Sequence, residues 1–290
     1  EFGKPFFFML KIAIQKSGKL FESSVKLLKD SGVVFNTSKD NLRVKAVNFP
    51  LEILFLRDDD IPICVSDGVA DLGIVGLNLL EEQKSKLPVV FSFAFGKCRL
   101  SLAANSNVGI NNINDINGRK IATSYPNTLQ NFLKSNDIQA EIHFISGSVE
   151  LAPSIGLADL IFDIVSSGTT LKNNNLTELF TVSRSTAVLI KNPKLDDTNT
   201  LFQELIFRFN SIENANQKKY VLLNCPNSSI EQICNVLPGI KSPTIMPLAQ
   251  VGWSSLHSVI HEQDFWEILG RLKSLGAEGI LILPIEKLIN

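Results

Sequence analysis

The sequence predicts an α/β protein in which two α/β lobes face each other across a cleft and a smaller βαββαβ module follows. Three observations carry this expectation. Short apolar runs alternate with stretches of helical periodicity as far as Asn210, the pattern of strands joined by crossover helices. An Asn- and Gly-rich stretch, Asn105 to Asn117, interrupts that rhythm like a boundary. After Asn210 the order changes to four strand patterns around two helical ones.

Leu10 to Ile14 alternates as a strand, Gln15-Lys16-Ser17-Gly18-Lys19 is a polar turn, and Phe21, Val25 and Leu28 recur at helical spacing until Gly32. Leu42 to Asn48 and Ile53 to Leu56 are two further apolar runs. Asp58-Asp59-Asp60-Ile61-Pro62 sets acidic caps and an early proline where the next helix should begin. Val69 to Val75 returns to strand, Gly76 closes it, and Asn78 is a candidate cap for a helix from Leu79 to Gln83. Lys120 to Ala122, Glu141 to Ile145 and Leu160 to Val165 read as strands, with a helix from Leu129 to Lys134 between the first two. Thr181 to Ile190 reads as a return into the first lobe. Strands at Tyr220 to Asn224, Pro243 to Leu248, Trp253 to Ile260 and Gly279 to Ile285 then surround helices at Ile230 to Val236 and Phe265 to Leu275, a ferredoxin-like order.

A chain of 290 residues that is 44% apolar has material for about two or three packed domains, which excludes a disordered or fibrous protein. Lys plus Arg number 28 against 29 Asp plus Glu, so a formal charge of -1 supplies no global field for a nucleic acid or an anionic membrane. An anionic ligand must be met by a local site. The longest apolar stretches, such as Phe6 to Leu10 and Ile280 to Ile285, fall far short of the roughly 20 residues a membrane-spanning helix needs. Residues 1–8, ahead of Met9, read as a vector-derived leader. Cys64, Cys98, Cys225 and Cys234 stand singly among apolar neighbours, which fits reduced thiols in the cytoplasm better than a disulfide frame or a zinc site.

The strongest chemical signal is the strand Ala158 to Val165 running into Ser166-Ser167-Gly168-Thr169-Thr170-Leu171. Hydroxyls, a glycine that permits close backbone approach and the N–H groups of a helix start make an anion cradle. Asp163, just upstream, would meet the hydroxyls of a sugar held there by its phosphate. Such turns also serve as plain connections, and the pattern alone leaves both readings open. Lys16 and Lys19 put two cations beside a flexible turn, and Arg57 and Arg99 fall near strand ends, where a guanidinium can fork onto phosphates or pair with Asp58 to Asp60. His257 and His261 stand four apart beside Glu262, but strand alternation would hold them about 13 Å apart, too far to share a metal.

Glu150-Leu151-Ala152-Pro153-Ser154-Ile155-Gly156-Leu157-Ala158-Asp159, followed by Asp163 and Ser166 to Leu171, resembles the signature of the ATP phosphoribosyltransferase family, whose reaction opens histidine biosynthesis. Ile14 to Leu20, Arg57 to Pro62, Asp71 to Asn78, Cys98 to Leu100 and Ala122 to Asn127 resemble further blocks of that family in the same order. Leu237 to Thr244 and Pro284 to Lys287 are similar to the C-terminal regulatory domain of its long form.

The resemblance implies a periplasmic-binding-protein-like catalytic region, with residues 9–102 and 184–212 in one lobe and 103–183 in the other. It implies a ferredoxin-like (ACT-like) histidine-binding domain over 216–290. The implied chemistry is a Mg²⁺-dependent glycosyl transfer from phosphoribosyl pyrophosphate to N1 of ATP, in a cytoplasmic, histidine-inhibited homo-oligomer, a dimer or hexamer. Ser166, Ser167, Gly168, Thr169 and Thr170 would then hold the 5-phosphate, and Asp163 and Glu150 the ribose hydroxyls. Lys16, Lys19, Arg57 and Arg99 would meet the diphosphate and triphosphate charge, and Asp71 and Tyr125 would make cleft contacts. Lys241, Ser242, Thr244 and Leu248 would serve histidine, and the metal would ride on substrate phosphates. A two-lobed α/β cleft also suits a solute-binding protein that captures a small anion without chemistry, the alternative reading.

Overall fold

In a computed structural model the described residues are 9–37, 41–237, 239 and 242–289, so the expected leader and Lys241 lie outside them. They form two compact units: one runs to Lys29 and from Val33 to Phe202, the other comprises Asp30–Gly32 and the chain from Gln203.

The first unit opens with β1 (Leu10–Gln15), α1 (Lys19–Asp30), β2 (Arg43–Lys45), β3 (Leu51–Leu56), α2 (Ile61–Ser66), β4 (Leu72–Gly76), α3 (Leu77–Glu82) and β5 (Val89–Ser92). The central strands β1, β3 and β4 are mostly apolar and buried, with Lys11 of β1 the exposed exception, as strands covered on both faces tend to be. Asp58–Asp60 forms a 3-10 turn leading into α2, but Asp60 gives that helix no side-chain cap. Asn78, expected as the cap of α3, lies buried inside it, because the helix starts at Leu77 with Gly76 as its N-cap.

The chain then crosses into a second sheet built from β6 (Cys98–Asn105), β7 (Lys120–Thr123), α4 (Pro126–Ser135), β8 (Glu141–Phe144), β9 (Leu160–Val165), α5 (Thr169–Asn173) and β10 (Leu176–Ser185), before β11 (Ala187–Lys191) returns to the first. The sequence reading kept the chain in the first lobe to residue 102. Instead β6 pairs with β9 and β10 along nearly its whole length, so the crossing lies before Cys98. Asn105 to Asn117 is no boundary between lobes but a link inside the second, folded into two 3-10 turns, one closed by a capping box of Asn112 and Asp115.

Both lobes follow one plan. Strands run β3-β1-β4-β11-β5 in the first sheet, with β2 added at the edge, and β8-β7-β9-β6-β10 in the second. In each, the strand fourth in that order is antiparallel to its neighbours and comes from the other half of the chain. This is the two-lobed, periplasmic-binding-protein-like arrangement expected from the sequence.

A helix the sequence reading did not mark, α6 (Thr200–Asn216), buries Phe202, Leu205, Phe209 and Ile212 at helical spacing, and the division between units falls within it. In the second unit β12 (Lys218–Pro226), α7 (Ile230–Val236), β13 (Thr244–Pro247), β14 (Trp253–His261), α8 (Glu262–Ser274) and β15 (Glu278–Pro284) give an antiparallel sheet ordered β13-β14-β12-β15. That is the ferredoxin-like order. Val221, Leu223, Leu256, Ile260, Phe265 and Leu272 form its core. No helix among the described residues is long and apolar enough to cross a membrane.

Gly73, in β4, sets how closely α2 packs on the first sheet. A Cβ there would fall 2.7 Å from Ile61 Cγ2, 3.0 Å from Val65 Cγ2 and 3.2 Å from Ile190 Cγ1. All three neighbours are fully buried and have no room to retreat. Gly73→Ala should therefore cost about 1–3 kcal/mol by overpacking, seen as a lower urea midpoint with an unchanged slope.

Candidate active site

The turn between β9 and α5 is anchored from below and open above. Phe162 and Val165 are buried, while Ser166, Ser167, Thr169 and Thr170 are exposed. Gly168 caps α5 with φ +78, a left-handed backbone that costs residues bearing a Cβ about 1–2 kcal/mol. Ser167 Oγ and Thr169 Oγ1 lie 3.0 Å apart. These hydroxyls stand beside first-turn N–H groups that a helix leaves without intrahelical partners.

The turn borders a cleft of about 140 Å³ whose lining also includes Glu150, Asp163 and, from the facing lobe, Lys19. Glu150 sits in a short 3-10 turn, Val149–Leu151. Burial raises the Asp163 carboxyl to about 6, the nearby Glu150 adds to the rise, and the Ile164 N–H, donating to Asp163 Oδ1 at 2.7 Å, opposes it. Burial, followed by the charges of Asp163 and Asp58, pushes the Tyr125 hydroxyl well above its usual range, so it stays protonated. That hydroxyl accepts from Asn78 Nδ2 across the lobes at 3.5 Å.

Several residues expected in the site do other work. Arg99 donates from Nε and Nη2 to the two carboxylate oxygens of Glu178, each at 2.5 Å, and from Nη1 to the Ser166 carbonyl at 3.1 Å. Its fork is thus spent on holding the turn, which replaces the reading of Arg99 as a phosphate clamp. Hydrogen bonds from Arg99, Ser101 and Thr181 hold Glu178 down to about 2. Asp71 lies ahead of β4, at the end away from the cleft, where Oδ2 accepts from the Lys11 N–H at 2.7 Å and its own N–H donates to the Lys11 carbonyl. It is a strand clamp, not a cleft contact.

The two lysines part company. Lys19 faces the turn, whereas Lys16 lines a separate cavity of about 650 Å³ in the first lobe with Phe21, Leu42 and Phe55. Arg57 is exposed at the end of β3, beside Asp58–Asp60. In the second unit Thr244 is exposed on β13, Ser242 precedes that strand, and the Leu248 N–H donates to the Trp253 carbonyl. His257 lies within β14, its Nδ1 2.6 Å from the Tyr220 hydroxyl and its Nε2 3.2 Å from Ser255 Oγ. Glu178 was missed by sequence reasoning: a lone acid in an alternating strand gives no sign of a partner 79 positions away.

The class these features define is a two-lobed α/β protein whose cleft suits an anionic ligand. The family model described as ATP phosphoribosyltransferase (HisG) matches residues 57–211, and that of the HisG C-terminal domain matches 215–287. The ATP phosphoribosyltransferase of Bacteroides thetaiotaomicron is 55% identical over 282 residues, covering 97% of this chain and all of its own. That of Cytophaga hutchinsonii is 53% identical over 283 residues, covering 97% and 99%. A chain of the solved ATP phosphoribosyl transferase (HisG:HisZ) complex from Thermotoga maritima superposes with TM-score 0.59 at 32% identity, covering 70% of this chain and 99% of its own.

The chain belongs to the ATP phosphoribosyltransferase family and carries that family's C-terminal domain. It is a transferase of histidine biosynthesis, and the reading as a capture protein without chemistry falls away.

Asp163 links the site to stability. Because its folded value lies above the ordinary carboxylate value, the folded state holds a proton that the unfolded chain releases between about pH 4 and 6, and stability falls as pH rises through that window. Asp163→Asn should raise the melting temperature of the ligand-free protein at pH 7.5, by the equivalent of up to about 2–3 kcal/mol, and change it little at pH 4, as thermal melts at the two pH values would show.

Proposed function

We propose that the cleft under Ser166–Thr170 binds phosphoribosyl pyrophosphate and joins its C1 to N1 of the ATP adenine. The observation that carries this reading is the meeting of Lys19 from one lobe with the hydroxyl-rich turn, Asp163 and Glu150 from the other. The turn takes the 5-phosphate, and ionised Asp163 with Glu150 accepts from the ribose hydroxyls. Lys19 and Arg57 face the diphosphate, Tyr125 donates a hydrogen bond within the cleft, and Lys16 stands toward the triphosphate of ATP.

As the C1–O bond breaks, its electron pair leaves on pyrophosphate while the N1–C1 bond forms. Positive charge grows on the sugar and negative charge on the leaving group, so alignment and charge stabilisation supply the rate without a strong base. A Mg²⁺ ion bound to the substrate phosphates would neutralise part of their charge. Among the described residues no group of three or more His, Cys, Asp or Glu is placed to hold an ion. Residues 216–290 act as a histidine-binding domain through the segment from Lys241 to Leu248, in a cytoplasmic homo-oligomer that histidine shifts toward a less active state.

Protein supplied with ATP, phosphoribosyl pyrophosphate and Mg²⁺ should form phosphoribosyl-ATP and pyrophosphate in equal amounts. A chain that binds both substrates yet forms no product would reject the reading. Asp163→Asn and Thr169→Ala should each lower kcat/KM on the order of 10²-fold, while His257→Ala stays near normal. The KM for phosphoribosyl pyrophosphate should rise as pH falls through about 6, where Asp163 gains its proton. Histidine should raise the melting temperature and slow turnover.

A further inference from the structure

Helix α3 of the first lobe meets the second lobe at both of its ends. Near its start, Asn78 touches Tyr125 and is tied to the strand crossing, its N–H donating to Ser185 Oγ at 2.9 Å and its Oδ1 accepting from the same hydroxyl at 2.8 Å. At its end, Glu82 reaches the first turn of α4. Oε1 accepts from the Asn127 N–H at 2.9 Å, and Oε2 accepts from the Thr128 N–H at 2.9 Å and from the Thr128 hydroxyl at 2.8 Å. The Glu82 carbonyl accepts from Asn127 Nδ2 at 3.0 Å.

Glu82 is only 9% exposed, so this charge is poorly screened and strongly committed to its partners. Helix α4 lacks a cap of its own, since Tyr125 at its N-cap position gives no side-chain hydrogen bond. A Ser or Asp at that position would have capped the helix locally. Here the cap is supplied from across the cleft, so satisfying α4 also fixes where the lobes stand.

We propose that Glu82 is an inter-lobe latch, a positioning residue whose carboxylate holds α4 against α3 and so sets the distance between Lys19 and the Ser166–Thr170 turn. Glu82 touches no substrate. The proposal rests on the reading of that cleft as the sugar-phosphate site. The chain joins the lobes through the segments from Ser92 to Cys98 and from Ser185 to Ala187, and short connections of this kind can act as hinges. Without the latch, the closed arrangement becomes one state among several, and a ligand that needs both lobes binds more weakly in proportion to the closed fraction lost.

Steady-state kinetics and thermal melts of the full chain, for wild type, Glu82→Gln and Thr128→Ala, test this. Glu82→Gln turns one accepting oxygen into an amide that faces an N–H donor. If it lowers the closed fraction to about one tenth, the KM for phosphoribosyl pyrophosphate rises about tenfold while kcat stays within about twofold. Thr128→Ala should raise the same KM less, and the double variant should be no worse than Glu82→Gln alone, because both act through one contact. A wild-type KM in folded Glu82→Gln sinks the latch. So does an unfolded Glu82→Gln accompanied by a wild-type KM in Thr128→Ala. A wild-type chain without turnover sinks the site reading, and the latch with it.

Discussion

Neither lobe completes its own sheet. β6 enters the second sheet from the first half of the chain, and β11 enters the first sheet from the second half. Each contributes a ladder that the receiving lobe cannot replace, with Arg99 to Ala104 paired to β9 and Ala187 to Lys191 paired to β4. Long-range pairings of this kind must bear their loop-closure entropy before any contact rewards them. Once formed, they set the two sheets side by side, with carboxyl strand ends meeting at one cleft.

The shared plan of the lobes explains how one scaffold presents several chemistries there. β1 and β7 occupy the same place in their sheets, as do β4 and β9. The turns and helix starts after them carry cations at Lys16 and Lys19, a phenol at Tyr125, a buried amide at Asn78, and hydroxyls with N–H groups of a helix start at Ser166 to Thr170. No repeat is visible in the sequence because the strand order, not the side chains, is what the lobes have in common.

Much of this was legible in advance, and what was not has a common cause. Strands such as Leu10 to Ile14, which alternates, and Leu160 to Val165, apolar but for Asp163, announce themselves by their patterns, and the turn at Ser166 to Thr170 announces itself by hydroxyls around a glycine. The misreadings concern polar residues whose partners are distant in sequence. Asp71 is claimed by Lys11, 60 positions away; Asn78 by Ser185, 107 away; and Arg99 by Glu178, 79 away. A free Arg near a strand end and an Arg already forked onto a carboxylate look identical until the fold brings Glu178 beside it. The ownership of β6 was hidden for the same reason, since a strand pattern does not say which sheet receives it.

The charge of the cleft follows from these pairings. With a formal charge of -1 the chain has no general pull on anions, and the Arg99 charge is neutralised internally by Glu178. Attraction is left to Lys19, to the exposed Arg57 at the end of β3, to the backbone dipoles at the turn and to any cation that travels with the substrate. Two acids in the same cleft oppose that attraction unless they face the part of the ligand that carries hydroxyls instead of phosphate. Asp163 has the further property that burial disfavours its ionised form. Hydrogen bonds from a sugar favour that ionised form, because they supply the solvation that burial removed. On the proposed reading, the carboxylate that burial disfavours regains partners when sugar hydroxyls reach it.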